Sequence, residues 1–149
     1  MAGSCDDSGS DEVGYRPDMS VIPESHADLL SKRVFWHIAT NGPDDELQSS
    51  PVWGGWDGEH FVFSLTRGRQ KYENLVRNPT IALSGIDPEN PYRYLEIRGT
   101  VVRIDDDSSN EFIDSMAKKY MDVDEYPFHQ PGDQRVVMVV QPSHSTQMG

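Results

Sequence analysis

Runs of β-forming residues, cut by short turn signals, constrain this chain more than any other feature. Val34 to Thr40, Leu47 to Trp56, Glu59 to Thr66, Thr80 to Asp87, Tyr92 to Asp105 and Arg135 to Val140 are rich in Val, Ile, Thr and aromatic residues. Between them lie Asn41-Gly42-Pro43-Asp44-Asp45, the two-residue hairpin signal Asp57-Gly58, and the proline-flanked turn Asp87-Pro88-Glu89-Asn90-Pro91. Connections this short join antiparallel neighbours. Pro51 marks the second run as an edge strand or a bulge, and Gly99 is a point at which the fifth can bend. Three helical stretches interrupt the series. A short one starts at Pro23-Glu24-Ser25, with Ser25 as N-cap and Leu29 and Leu30 as its apolar stripe. A second runs from Arg69 to Asn78, with Tyr72, Leu75 and Val76 on one face, and stops at Pro79. A third is capped by Asp107-Ser108 and runs through Phe112, Ile113, Met116, Ala117 and Tyr120, with Met116 and Tyr120 in the core. Residues 122–134 read as loop and Pro142 to Gly149 as a tail. The expected fold is mainly β: a six-stranded antiparallel sheet with short helices, able to close into a barrel.

Length and charge narrow the function classes. A chain of 149 residues is one domain and buries a sizeable core without staples. Residues 1–20 read as a disordered acidic head, with Asp6, Asp7, Asp11, Glu12 and Asp18 against Arg16. The barrel is then expected over 21–149. The net charge of -12 argues against nucleic acid and anionic membrane as main partners. The lone Cys5 excludes an internal disulfide and any cysteine-built zinc site. The start of the chain lacks the basic and apolar regions of a secretory signal, so the expected location is cytoplasmic. The histidines His26, His37, His60, His129 and His144 are scattered without metal-ligand spacing, and Asp105-Asp106-Asp107 reads as a solvated turn, so no metal site is expected. Glycine-rich phosphate fingerprints and the G-x-S-x-G elbow are absent.

One stretch carries chemistry. In Ser64-Leu65-Thr66-Arg67-Gly68-Arg69-Gln70-Lys71 a strand runs into a basic turn and then a helix. The start of a helix carries free N–H groups and a partial positive charge, so it favours acids. Three cations crowded there are unfavourable unless an anion sits among them. Hydroxyls, backbone N–H groups and guanidinium together suit a phosphate. The plain alternative is a solvated basic turn paired with nearby acids. Similarly, Trp53 and Trp56 either flank a flat ligand or pack across the hairpin. His37 reads as a core or interface histidine, and His144 as a residue able to face substrate.

From Ser25 to His144 the chain resembles the pyridoxamine 5'-phosphate oxidase-like split β-barrel flavoproteins, and within them the branch that uses the deazaflavin coenzyme F-420. Four stretches carry the resemblance: Phe35 to Thr40, Gln48 to Trp53, the G-R-x-K-x-x-N-L segment at Gly68 to Leu75 with Arg77-Asn78-Pro79, and Asp87 to Gly99. The resemblance implies a homodimer with the cofactor in a groove at the subunit interface. Its phosphate would sit on Arg69 and Lys71, with Ser64 or Thr66 assisting beside Leu65. Its ring would lie along Ser50, Pro51, Val52 and Trp53. Asn74 would steady the basic loop or reach the sugar chain, and residues near Tyr92 to Tyr94 of a second copy would cover the ring. An oligoglutamate tail would favour basic residues outside the cradle, such as Lys32, Arg33 or Arg93. The implied activity is hydride transfer to a conjugated organic acceptor, with no required catalytic side chain. The terminal Gln141 to Thr146 lacks the Arg of true pyridoxamine-phosphate oxidases, which weighs against vitamin B6 oxidation. The alternatives are FMN in the same site, a non-catalytic cofactor carrier or sensor, and a barrel that binds no small ligand.

Overall fold

The computed structural model describes residues 21–149; the acidic head lies outside the described residues. Seven antiparallel strands form one sheet: β1 Phe35–Asn41, β2 Leu47–Trp53, β3 Gly55–Trp56, β4 Phe61–Thr66, β5 Thr80–Asp87, β6 Asn90–Asp106 and β7 Arg135–Met148. Helices α1 (Gln70–Arg77) and α2 (Glu111–Met121), a 3-10 helix at Glu24–Leu30 and a single 3-10 turn at Pro43–Asp45 complete it. The sheet order is β2-β1-β5-β6-β7-β4-β3. The two ends of that order, β2 and β3, are separated in the chain by Gly54 alone. A sheet whose opposite ends share one covalent joint must curl round on itself. The result is an antiparallel barrel, as the sequence suggested.

The strand count is seven because the single run expected over 47–56 breaks at Gly54. A Cβ at Gly54 would meet the Phe61 ring and come within 2.7 Å of the Trp36 ring. The joint therefore lies pressed against the core, and the chain changes sides of the barrel there. Inward-facing residues alternate along the strands. Trp36 and Ile38, Phe61 and Phe63, Leu83, Leu95 and Ile97, and Met138 and Val140 are all essentially buried. Trp36 meets Phe61 edge-on at 5.2 Å. Trp56 packs against this core rather than flanking a ligand.

Several boundaries differ from expectation for local reasons. β7 continues to Met148 and pairs with β6 as far as Tyr94, so residues 142–148 are strand and not tail. Pro142 is tolerated because it faces Gly99, where the register shifts and Ser143 forms a bulge. β6 is indeed irregular at Gly99, since a Cβ there would collide with the Gln141 carbonyl oxygen. The Asp57-Gly58 turn closes four residues, 57–60, instead of two. Asp57 Oδ1 accepts from the backbone N–H of Glu59 (2.9 Å) and His60 (2.6 Å), and Gly58 has φ +102°. The first helix follows Pro23 and is 3-10; Ser25 contacts the His26 ring at 2.8 Å instead of capping. Asp107 does cap α2, accepting from the N–H of Phe112 (3.0 Å) and Ile113 (3.1 Å). His37 projects to the exposed side of β1, so it is no core residue. Tyr120 is half-buried beside Trp53, so it lies outside the core proper.

A charge network ties the 3-10 helix to the β5–β6 turn. Arg93 binds Asp28 (2.6 Å) and Asp87 (2.8 Å), and Lys32 lies 3.4 Å from Asp87 and 3.5 Å from Asp28. The Arg93 hydrogen bond holds the Asp28 carboxyl down at about 2. The Glu89 N–H and then Arg93 lower Asp87 as well.

Two predictions follow from this packing. Gly54→Ala should lower stability by about 1–3 kcal/mol, the usual cost of overpacking, read as a fall in urea midpoint. The lowered carboxyls contribute stability above pH ~4 that disappears as pH falls through their folded values. Wild-type midpoints should drop between pH 4 and about 2, the folded value of Asp28. In Arg93→Met that drop should be shallower.

Candidate functional site

β4 pairs with β7 along its whole length, but with β3 only at Phe61 and Val62. β2 pairs with β1 alone. Among the described residues, then, the outer edge of β2 and the far half of β4 face each other without a ladder. The barrel is split at this place, and the split is a cleft of about 560 Å³. That lies within the range of small-molecule sites, roughly 300–1,000 Å³.

Eight residues singled out in the sequence meet in the cleft. Pro51, Val52 and Trp53 come from β2, Ser64, Leu65 and Thr66 from β4, and Arg69 and Lys71 from the start of α1. Alternation along β4 explains the hydroxyls: Phe61, Phe63 and Leu65 go to the core, leaving Ser64 and Thr66 half-buried on the other side. The turn after β4 is fixed by backbone bonds from Arg67 N–H to Gln134 O (3.0 Å) and from Arg69 N–H to Thr66 O (3.1 Å). Arg69 occupies the N-cap position, and no side chain caps α1.

The electrostatics are lopsided. The chain has 25 acids to 13 basic residues. Yet none of the ion pairs among the described residues involves Arg67, Arg69 or Lys71, whereas Lys32, Arg93, Arg98, Arg103, Lys118 and Arg135 all have acidic partners. Arg67 donates to the Tyr72 hydroxyl at 2.8 Å. Burial, and then the neighbouring Arg69, push the Lys71 ammonium below the usual lysine range. A buried cation beside another cation is a poor arrangement by itself and a good one around an anion. Lys32 and Arg93 are held in the charge network above, and Arg33 donates to Lys119 O at 2.6 Å. Lys32 and Arg93 thus have acidic partners and Arg33 a carbonyl, and none of the three lines the cleft.

Two residues from the sequence reading lie off the cleft lining. Asn74 is fully buried. Its amide donates to Thr40 Oγ1 and Gln48 Oε1, both at 3.0 Å, and its carbonyl accepts from Gln70 at 2.8 Å. It locks α1 onto β1 and β2 and so steadies the basic turn. Ser50 has a buried hydroxyl with no hydrogen-bond partner.

The other wall was missed in the sequence. Trp53 stacks on Tyr120 at 5.2 Å with the rings 10° from parallel. Tyr126 meets Trp53 edge-on at 5.9 Å and Phe128 at 5.6 Å. The segment 122–134 thus folds back along the cleft with an aromatic face. Tyr126-Pro127-Phe128 was the available signal, an aromatic pair beside a proline in a stretch otherwise polar. Arg135, at the start of β7, also lines the cleft and lies over the Tyr126 ring at 4.6 Å. Helix α2 contributes Ile113 and Met116, and its Tyr120 and Lys119 fasten the joint. The Gly54 N–H donates to the Tyr120 hydroxyl at 3.0 Å, and Lys119 Nζ donates to Gly54 O at 2.7 Å. Burial lowers Lys119 to about 8. The arrangement offers a slot with an aromatic wall, two exposed backbone edges beside it, and a pair of cations without acidic partners among the described residues.

Among solved structures, one described as F-420 reductase is similar to this chain. The identity is 40%, the match covers 84% of this chain and 98% of the other, and the TM-score is 0.76. General Stress Protein 26 from Bacillus anthracis matches at 16% identity over 84% and 92% of the two chains, with a TM-score of 0.63. HupZ from Group A Streptococcus matches at 18% over 85% and 93%, with a TM-score of 0.59. The last two share the fold alone. Among curated protein sequences, none matches significantly. No helix among the described residues is long and apolar enough to cross a membrane. The family model for pyridoxamine 5'-phosphate oxidase matches residues 22–149, and with the split barrel it establishes that the chain belongs to the pyridoxamine 5'-phosphate oxidase family.

Proposed function

We propose that this protein is an oxidoreductase that binds the deazaflavin coenzyme F-420 in the cleft between β2 and β4 and passes a hydride to a conjugated organic acceptor. The observation that carries the reading is the pair Arg69 and Lys71, without an ion pair to any acid among the described residues, in a cleft with an aromatic wall. The 40% identity to the structure named F-420 reductase favours the deazaflavin.

The residues fit such a group. Arg69, Lys71 and the start of α1 would hold the phosphate, with the Ser64 and Thr66 hydroxyls beside it. Pro51, Val52 and Trp53 would lie along the ring. The free edge of β2 offers backbone groups to its polar rim, and the orphaned Ser50 hydroxyl lies at the same edge. When bound, the deazaflavin supplies the hydride. The protein's part is to orient the reactants and exclude water, which the aromatic wall of Trp53, Tyr126 and Phe128 suits. FMN is the second reading. The family match favours it, because the same cradle takes either phosphate.

The proposal includes a second copy of the chain. Ile86 is 55% exposed on the outer face of the sheet, directly opposite Tyr94, which is in turn opposite Met148. Apolar residues in adjacent rows of an open sheet face suit an interface.

Arg69→Ala and Lys71→Ala should each weaken deazaflavin binding by about 1.5–3 kcal/mol without unfolding the protein. The affinity should fall as pH rises through the lowered value of Lys71, because the cation is lost. Lys71→Arg should flatten that pH dependence. Fluorescence titration reads all three effects, and unchanged affinity in both alanine variants would reject the cradle. In sedimentation, wild type should run as a dimer and Ile86→Asp as a monomer. A wild-type monomer with full cofactor affinity would reject the paired form.

A further inference from the structure

Arg135 is the residue the account above leaves incompletely explained. Its side chain is only 10% exposed. A guanidinium has five N–H donors and is always charged. Here the Nε is buried with no partner. One terminal nitrogen lies 3.4 Å from Ser64 Oγ, and the other 3.6 Å from the Asp133 carboxylate, both at the long limit. Asp133 is itself engaged, accepting from the Gln130 N–H at 2.9 Å. Below the guanidinium lies the Tyr126 ring. A buried charge left this poorly satisfied is costly unless something else completes it.

Its position shows where that partner would come from. Arg135 borders the cleft and also a second, polar cavity of about 520 Å³. Gln130 and Asp133 are shared by both cavities, and Arg67 and His129 line the second. Arg67 makes no close ion pair among the described residues, although its charge, after the Ser108 hydrogen bonds, helps to lower the Asp106 carboxyl on the same cavity. Asp106, on the same cavity, is occupied by the Ser108 hydroxyl at 2.6 Å. So a flat molecule in the cleft beside Tyr126 and Phe128 would meet the guanidinium that covers one face of the Tyr126 ring, with a polar annex beyond it.

We propose that Arg135 and this annex form a second anion subsite, which adjoins the Arg69–Lys71 cradle at Ser64 and Thr66 and takes a carboxylate of the acceptor. The substrate class is then a planar conjugated molecule bearing a carboxylate. This rests on the deazaflavin reading for the acceptor's role, but not for the subsite itself.

The test uses two flat probes that differ only in charge, 2-naphthoate and the neutral 2-naphthamide, titrated against the full chain without cofactor. Quenching of tryptophan fluorescence reports binding. Wild type should bind the acid about tenfold or more tightly than the amide, and Arg135→Gln should abolish that preference. Arg135→Lys should restore part of it. A variant that merely loosens the 122–134 segment would weaken both probes alike and leave the ratio intact, which would overturn the proposal. So would equal binding of acid and amide to wild type, or a preference lost in Lys71→Ala instead. With F-420 present, Arg135→Gln should raise the KM of a carboxylate-bearing acceptor by a larger factor than it weakens the cofactor. Loss of cofactor affinity with an unchanged KM would assign Arg135 to the cofactor and overturn the acceptor's claim. If wild type fails to bind F-420 at all, the function proposal falls, while the naphthoate ratio still decides the subsite.

Discussion

A single residue, Gly54, joins the two ends of the sheet. β2 leaves it on one side of the barrel and β3 on the other. Everything that concerns the site depends on this joint. Because β3 is two residues long, β4 finds a partner on that side only at its beginning. Its remaining edge faces β2 across a gap that no ladder fills. Open strand edges in a small protein invite aggregation and are normally covered or charged. Here they border a cleft with an aromatic wall on one side and cations at one end. The fixing of the joint is correspondingly elaborate: Trp36 and Phe61 press on it from the core, and Tyr120 and Lys119 bond its backbone from α2.

The second determinant is the distribution of charge. Acids outnumber bases, and most cations outside the cleft find a carboxylate or a carbonyl. Arg93 and Lys32 share Asp28 and Asp87, stabilising the way the 3-10 helix packs on the β5–β6 turn. Arg69 and Lys71 have no acidic partner among the described residues, and the partial positive charge of α1 adds to theirs. Leaving these two neighbours unpaired concentrates positive potential at one place. Asn74 makes that possible without contact to a ligand, since it anchors α1 to β1 and β2 from within the core.

Much of this was legible in the sequence, and the limits have physical causes. β5 was read to its last residue because alternation and flanking prolines agree over Thr80–Asp87. The cradle was legible because its parts are consecutive in the chain and conflict with the helix dipole. The break at Gly54 was not, because the reason for it is tertiary: the space taken by Trp36 and Phe61. The last eight residues of β7 were missed because Pro142 reads as a terminator. Only the bulge opposite Gly99 lets the strand pass. The aromatic wall was missed for a similar reason. Tyr126 and Phe128 come from a segment without periodicity, and only the fold brings Tyr126 against Trp53 and under Arg135.

The central claim is that the split between β2 and β4 is the cofactor site. Amide chemical-shift mapping of the full chain during titration with F-420 tests it most directly. The account predicts saturable shifts concentrated at Val52, Trp53, Ser64 to Thr66 and Lys71. Shifts centred elsewhere on the barrel, or none at saturating cofactor, would contradict it.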